Sequence, residues 1–127
     1  MGAGVRVLVV DDSDDVRDSI QLSLERAGCT VDGCARGDEA VRMLARSPYD
    51  VVVADLWMPG LDGVELTKIV RRAYPGTRVI AISGGGPGIS LEANAALVEV
   101  WGAEATFVKP FDNEMLIAQI LTPAPGR

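Results

Sequence analysis

The sequence predicts a doubly wound α/β domain built on a five-stranded parallel sheet. Three observations point there. Five short runs of apolar, mostly β-branched residues recur at intervals; amphipathic stretches with helical spacing lie between them; and glycine, proline or capping residues mark the junctions. Runs of Val and Ile without polar alternation are what strands look like when both faces of a parallel sheet are covered. Strand and helix in regular succession then require right-handed crossovers within one sheet.

The first run, Val5–Val10, precedes a stretch whose Val16, Ile20, Leu24 and Ala27 share one helical face, with Gly28 as its stop. The second run, Thr30–Ala35, precedes a helix marked by Val41, Leu44 and Ala45. The third, Val51–Ala54, precedes Leu66, Ile69, Val70 and Ala73, closed by Pro75-Gly76. The fourth, Arg78–Ile82, leads to a less periodic, Ala-rich helix over roughly Leu91–Trp101, ended by Gly102. The fifth, Ala105–Val108, leads to Met115, Leu116, Ile120 and Leu121, with Asp112 as the N-cap. Residues 1–127 therefore read as a single domain with a core over about 5–121. The tail 122–127 carries two prolines and a glycine, and reads as a frayed end or the start of a linker to a further domain.

Composition excludes several function classes. Acidic residues outnumber basic ones 18 to 12, a net charge of −6, which argues against direct nucleic-acid binding through a basic face. There is no histidine, so no His nucleophile, base or metal ligand, and no phosphohistidine role for this chain itself. Cys29 and Cys34 would stand roughly 16 Å apart on opposite faces of a strand, too far for a disulfide, and read as free thiols in a reducing compartment. No apolar run approaches the roughly 20 residues that span a bilayer. The start, Met-Gly-Ala-Gly-Val-Arg, lacks a signal-peptide core and the Ser or Thr that myristoylation prefers. A soluble cytoplasmic protein is expected, with no membrane partner.

Ligands of such sheets bind outside the carboxyl ends of the strands. Asp11 and Asp12 follow the first strand, Asp55 the third, Ser83 the fourth and Lys109 the fifth. Three carboxylates, a hydroxyl and an ammonium are thus expected at one edge. Clustered carboxylates resist full ionisation without a cation. They offer the hard oxygen ligands that Mg²⁺ takes, with room left for water and a phosphoryl group. A carboxylate is also a nucleophile toward phosphorus, and phosphoryl transfer needs its equatorial oxygens neutralised, which a cation, Lys109 and Ser83 could do. Each feature alone is ordinary, since an Asp pair after a strand is usually a turn or a helix cap. Their joint placement is not ordinary.

The series Val9-Val10-Asp11-Asp12, then Asp55-Leu56-Trp57-Met58-Pro59-Gly60-Leu61-Asp62-Gly63, then Ile82-Ser83-Gly84, then Lys109-Pro110-Phe111 resembles a response-regulator receiver of two-component signalling. The resemblance covers about residues 5–121. It implies a flavodoxin-like strand order 2-1-3-4-5 with helices on both faces. It implies Asp55 as phosphoacceptor, and a histidine kinase or histidine phosphotransfer protein as donor. It implies Mg²⁺ (or Mn²⁺) held by Asp12, Asp55 and the Trp57 backbone carbonyl, with Asp11 assisting through water. Ser83 and Lys109 would contact the phosphoryl group, and Lys109–Pro110 would be cis. Such a domain is a signalling switch, not a turnover enzyme, beyond its own phosphotransfer and slow autodephosphorylation. It would control a downstream partner or an output domain outside this chain.

The sequence departs from the family in two places. The aromatic usual three residues before the lysine is replaced by Thr106, with Phe107 next, on the opposite face by strand period. The segment after Ser83 is glycine-rich over Gly84–Gly88, and its Gly84–Gly86 is expected as part of a mobile loop rather than an anion nest. Trp57 could rest on apolar surface or hang over the mouth of the site, and Trp101 is expected to serve packing. Two rivals on similar architectures fit less well. A haloacid-dehalogenase-type phosphatase places Asp-x-Asp after its first strand, where this chain has Asp11-Asp12-Ser13. A flavodoxin-like FMN binder would not put acidic residues where phosphate sits.

Overall fold

A computed structural model describes residues 4–84 and 101–122 of the chain. Five strands, β1 (Arg6–Val10), β2 (Thr30–Cys34), β3 (Val51–Asp55), β4 (Arg78–Ser83) and β5 (Ala105–Val108), form one parallel sheet in the order β2-β1-β3-β4-β5. Four described helices cover it: α1 (Asp14–Arg26), α2 (Gly37–Arg46), α3 (Gly63–Ala73) and α4 (Asn113–Leu121). The doubly wound, flavodoxin-like architecture read from the sequence is the one observed.

The strand period sorts the core into two layers. Leu8, Val10, Val52, Ala54, Val79 and Ala81 pack against Ala40 and Leu44 of α2 and Leu66 and Val70 of α3. Val7, Val9, Val51, Val53, Ile80 and Ile82 pack against Ile20 and Leu24 of α1 and Leu116 and Ile120 of α4. Because β1, β3 and β4 are covered on both faces, each alternate side chain meets a helix, which is why these strands carry no polar alternation. Cys29 lies in the second layer and Cys34 in the first, both buried and free.

Local chemistry fixes the junctions. Ser13 caps α1 by accepting from the Val16 N–H, and Asp14 and Asp15 occupy its positive end. Asp62 caps α3 and Asp112 caps α4 in the same way. Gly28, just past α1, takes φ +96°, a conformation that costs other residues strain. Strand ends differ from expectation by single residues. β1 begins at Arg6 and β2 stops at Cys34, while β3 and β4 each extend by one. Asp55 and Ser83 are therefore the last rungs of the ladder, opposite Ile82 and Val108, and not the first residues of loops. The expected helix over 91–101 lies outside the described residues except Trp101, as do 85–90 of the glycine-rich loop and the tail from 123. Trp101 is partly exposed, with the Lys68 ammonium 3.9 Å above its ring. No described helix is long and apolar enough to cross a membrane.

Candidate functional site

The carboxyl ends of β1, β3, β4 and β5 bring the expected residues together. Asp11 is fully buried. Its N–H donates to the Cys34 carbonyl at 3.1 Å, and its own carbonyl accepts from Arg17 Nη1 at 2.8 Å. Its Oδ1 accepts from the Ser13 N–H at 2.8 Å. Its Oδ2 lies 3.2 Å from Lys109 Nζ, an ionic contact without the alignment of a hydrogen bond. Asp12, the next residue, is exposed. Asp55 accepts from the Trp57 N–H on Oδ1 at 3.2 Å, and its Oδ2 stands 3.4 Å from Lys109 Nζ. Ser83 is fully buried at the end of β4, and its carbonyl accepts from the Lys109 N–H at 2.8 Å. The Lys109–Pro110 bond is cis.

One carboxylate oxygen from each of Asp11, Asp12 and Asp55 lies within 4.8 Å of the others. One lysine faces two buried carboxylates, so the charge is not balanced. Burial and the neighbouring Asp11 push the Asp55 carboxyl up to about 6, against the opposing pull of Lys109 and the Trp57 N–H. Burial opposes the charge on Lys109, but Asp55 and Asp11 outweigh it and raise its pKa. An all-oxygen set carrying surplus negative charge, with a buried oxygen of Asp11 lacking a hydrogen bond, could hold a hard divalent cation.

Glycines shape the surroundings. Gly63 opens α3 directly against the end of β3, where any side chain would run into the Asp55 carbonyl, and its N–H donates to Leu56. Nothing in the residue pattern gave Gly63 this role. Its signal was its place in the Asp62-Gly63 pair closing the segment after Asp55. The Trp57 indole packs on the apolar layer of α2 and α3, the first of the two placements open to it from sequence. Thr106 pairs with Ala81, whose side chain lies in that same layer, while Phe107 joins the opposite layer with its ring 5.7 Å from Phe111. Phe107 therefore does not take over the position that Thr106 leaves without an aromatic. A cleft of about 430 Å³ adjoins Lys109, walled by Val16, Ile20, Pro110 and Phe111, with Ser19 and Asn113 at its polar side.

Residues 7–121 match the family model described as the response regulator receiver domain. The chain belongs to that family. Among curated relatives, a putative NtrX-like response regulator of Rickettsia bellii is 34% identical over 115 residues, which are 89% of this chain and 23% of the relative. The chain thus spans about a quarter of that protein's length. The protein PilG of Pseudomonas aeruginosa is 29% identical over 97% of this chain and 90% of its own. Among solved structures, the receiver domain of Francisella response regulator 1452 superposes with a TM-score of 0.82 at 32% identity, over 92% of this chain and 93% of that one. The chain is therefore a receiver domain of two-component signalling, and the family match sets aside both rival functional readings.

Proposed function

We propose that this receiver accepts a phosphoryl group on Asp55 from a phosphohistidine donor and thereby alters its contact with a downstream partner or output domain. The observation that carries this reading is the uncompensated charge at the strand ends, three carboxylates around one ammonium with Asp55 held near 6. The donor atoms suit Mg²⁺ or Mn²⁺. Asp11, Asp12 and Asp55 would hold the ion with the Trp57 backbone carbonyl. When bound, the ion neutralises these carboxylates and draws charge from the phosphoryl oxygens.

The chain's own residues perform the rest. An ionised oxygen of Asp55 attacks phosphorus. The new O–P bond forms as the P–N bond to the donor imidazole breaks, and the bonding pair leaves with the nitrogen. Lys109, already between Asp11 and Asp55, transfers its contact to a phosphoryl oxygen, and the Ser83 hydroxyl binds another. The product stays on the chain, so this is a phosphoacceptor and not a turnover enzyme, apart from slow hydrolysis of its own acyl phosphate. The donor is a histidine kinase or a histidine phosphotransfer protein. The acidic chain binds no nucleic acid itself, has no membrane partner and works in the cytoplasm. Residues 1–127 act as one unit, either alone or at one end of a longer regulator.

Intact-mass measurement after incubation with Mg²⁺ and acetyl phosphate tests the reading. Wild type should gain one phosphoryl mass, lost with chelator and in Asp55→Asn. An adduct of equal yield on Asp55→Asn would remove the assignment.

A further inference from the structure

We propose that Arg17 is a positioning residue for the cation site, a role that rests on the metal-dependent phosphoacceptor reading above. Arg17 stands in α1 yet reaches back to the turn that precedes it. Its Nη1 donates to the Asp11 carbonyl at 2.8 Å, and its Nη2 pairs with Asp14. The side chain is only 18% exposed. Its stem lies over β2 at Gly33, where an added Cβ would stand 3.2 Å from Arg17 Cδ and 3.3 Å from Cγ. A methyl group at Gly33 would crowd this stem and also stand 3.0 Å from Gln21 Oε1.

The carbonyl of Asp11 and the N–H of Asp12 belong to one planar peptide. Holding that carbonyl fixes the plane joining the two carboxylate residues. The Asp11 N–H is fixed from the other side by Cys34. Arg17 and Cys34 together set the direction in which Asp11 and the exposed Asp12 leave the end of β1. Orientation of ligands by the residues behind them commonly governs metal affinity about 10–100-fold.

Arg17 also carries charge, and the two effects have opposite signs. As a nearby cation it repels a dication, so its removal would tighten binding. As a clamp it orders the ligands, so its removal weakens binding. Lysine keeps the charge but lacks the planar fork that reaches a carbonyl and a carboxylate together.

Mg²⁺ titration calorimetry on the full chain separates them, with urea melts confirming that each variant is folded. Arg17→Met should bind Mg²⁺ about tenfold more weakly, and Arg17→Lys should also weaken. The Mg²⁺ concentration for half-maximal phosphorylation should rise in step, with the rate at saturating Mg²⁺ unchanged. Gly33→Ala, which crowds the stem and leaves Arg17 in place, should weaken binding in the same direction. Unchanged or tighter binding in the folded Arg17 variants overturns the proposal. Failure of the wild type to bind Mg²⁺ overturns instead the reading on which it rests.

Discussion

The two ends of the sheet treat buried charge in opposite ways. At the amino-terminal edge, Arg78 opens β4 and makes a two-pronged contact with Glu104, at 2.8 and 2.7 Å. The same guanidinium donates to the carbonyls of Gln119 and Ile120 at the end of α4, and Gln119 donates to Glu104. Nearly every lone pair and proton there has a partner. Burial works against the Glu104 charge, but Arg78 and Gln119 overcome it and hold its pKa below the usual carboxylate range. At the carboxyl-terminal edge, two buried carboxylates share one lysine, and Asp55 is raised to about 6. One edge is complete as it stands. The other carries surplus negative charge, which on the proposed reading a bound cation would balance.

The largest expected effect is at the complete edge. Arg78→Met leaves Glu104 without its main partner and releases the last turn of α4. The pair is mostly but not wholly buried, so the loss is expected to be about 2–3 kcal/mol. Urea melts should show it, with Mg²⁺ affinity unchanged within error. A loss below about 0.5 kcal/mol would place this pair with ordinary surface ion pairs and remove half of the contrast.

At the incomplete edge the sign reverses. In the metal-free protein the Asp55 carboxyl has a folded pKa above its unfolded value, so its ionisation opposes folding. That cost is absent below about pH 4, where the group is protonated in both states. It grows as pH rises and is complete above about 6. Asp55→Asn removes it, and should stabilise the metal-free protein by about 2–3 kcal/mol at pH 8, with the gain vanishing near pH 4. Saturating Mg²⁺ should stabilise the wild type and shrink the difference. An Asn variant less stable than wild type at pH 8 in chelator would show that Lys109 alone balances the site.

A finer comparison lies within the acidic pair. Asp11 is committed to Ser13 and Lys109, whereas Asp12 is exposed and adjacent to the same cluster. Asp12→Ala is expected to weaken Mg²⁺ binding more than Asp11→Ala, by about 1.4 kcal/mol or tenfold. Calorimetry that ranks them equally, or in reverse order, would reject this ranking.

Much of this was legible in the sequence, for physical reasons that can be named. Val7–Val10 and Val51–Val53 announce strands covered on both sides, and residues that end such strands must meet at one edge. Period alone placed Phe107 opposite Thr106. What was not legible depends on elements that meet only in the folded chain. Arg17 reads in sequence as a solvated helical residue among aspartates, and its reach to Asp11 and its packing against Gly33 arise only when α1 folds over β2. Arg78, Glu104 and Gln119 are far apart along the chain and belong to no common pattern. The extra residue in β3 and β4 depends on pairing with the next strand, which periodicity does not report.

The smallest expected effect concerns Trp57, beside the site but packed on the layer of α2 and α3. Its Nε1 is buried with no hydrogen-bond partner among the described residues. An unpaired buried donor costs about 1–3 kcal/mol, and Trp57→Phe removes it. The same change removes part of a ring that fills space in the layer, which costs a comparable amount. The two terms oppose, so the net change in stability should stay within about 1 kcal/mol. Metal affinity should also stay within about twofold, because the proposed ligand is the backbone carbonyl, which every residue carries. Melts and Mg²⁺ titrations on this variant check both statements together. Stability lost by more than about 2 kcal/mol with affinity unchanged would mean that the indole belongs to the packed core and that its N–H is satisfied. Affinity lost with stability unchanged would mean that the ring itself orders the end of β3, and would bring Trp57 into the incomplete edge alongside Asp55.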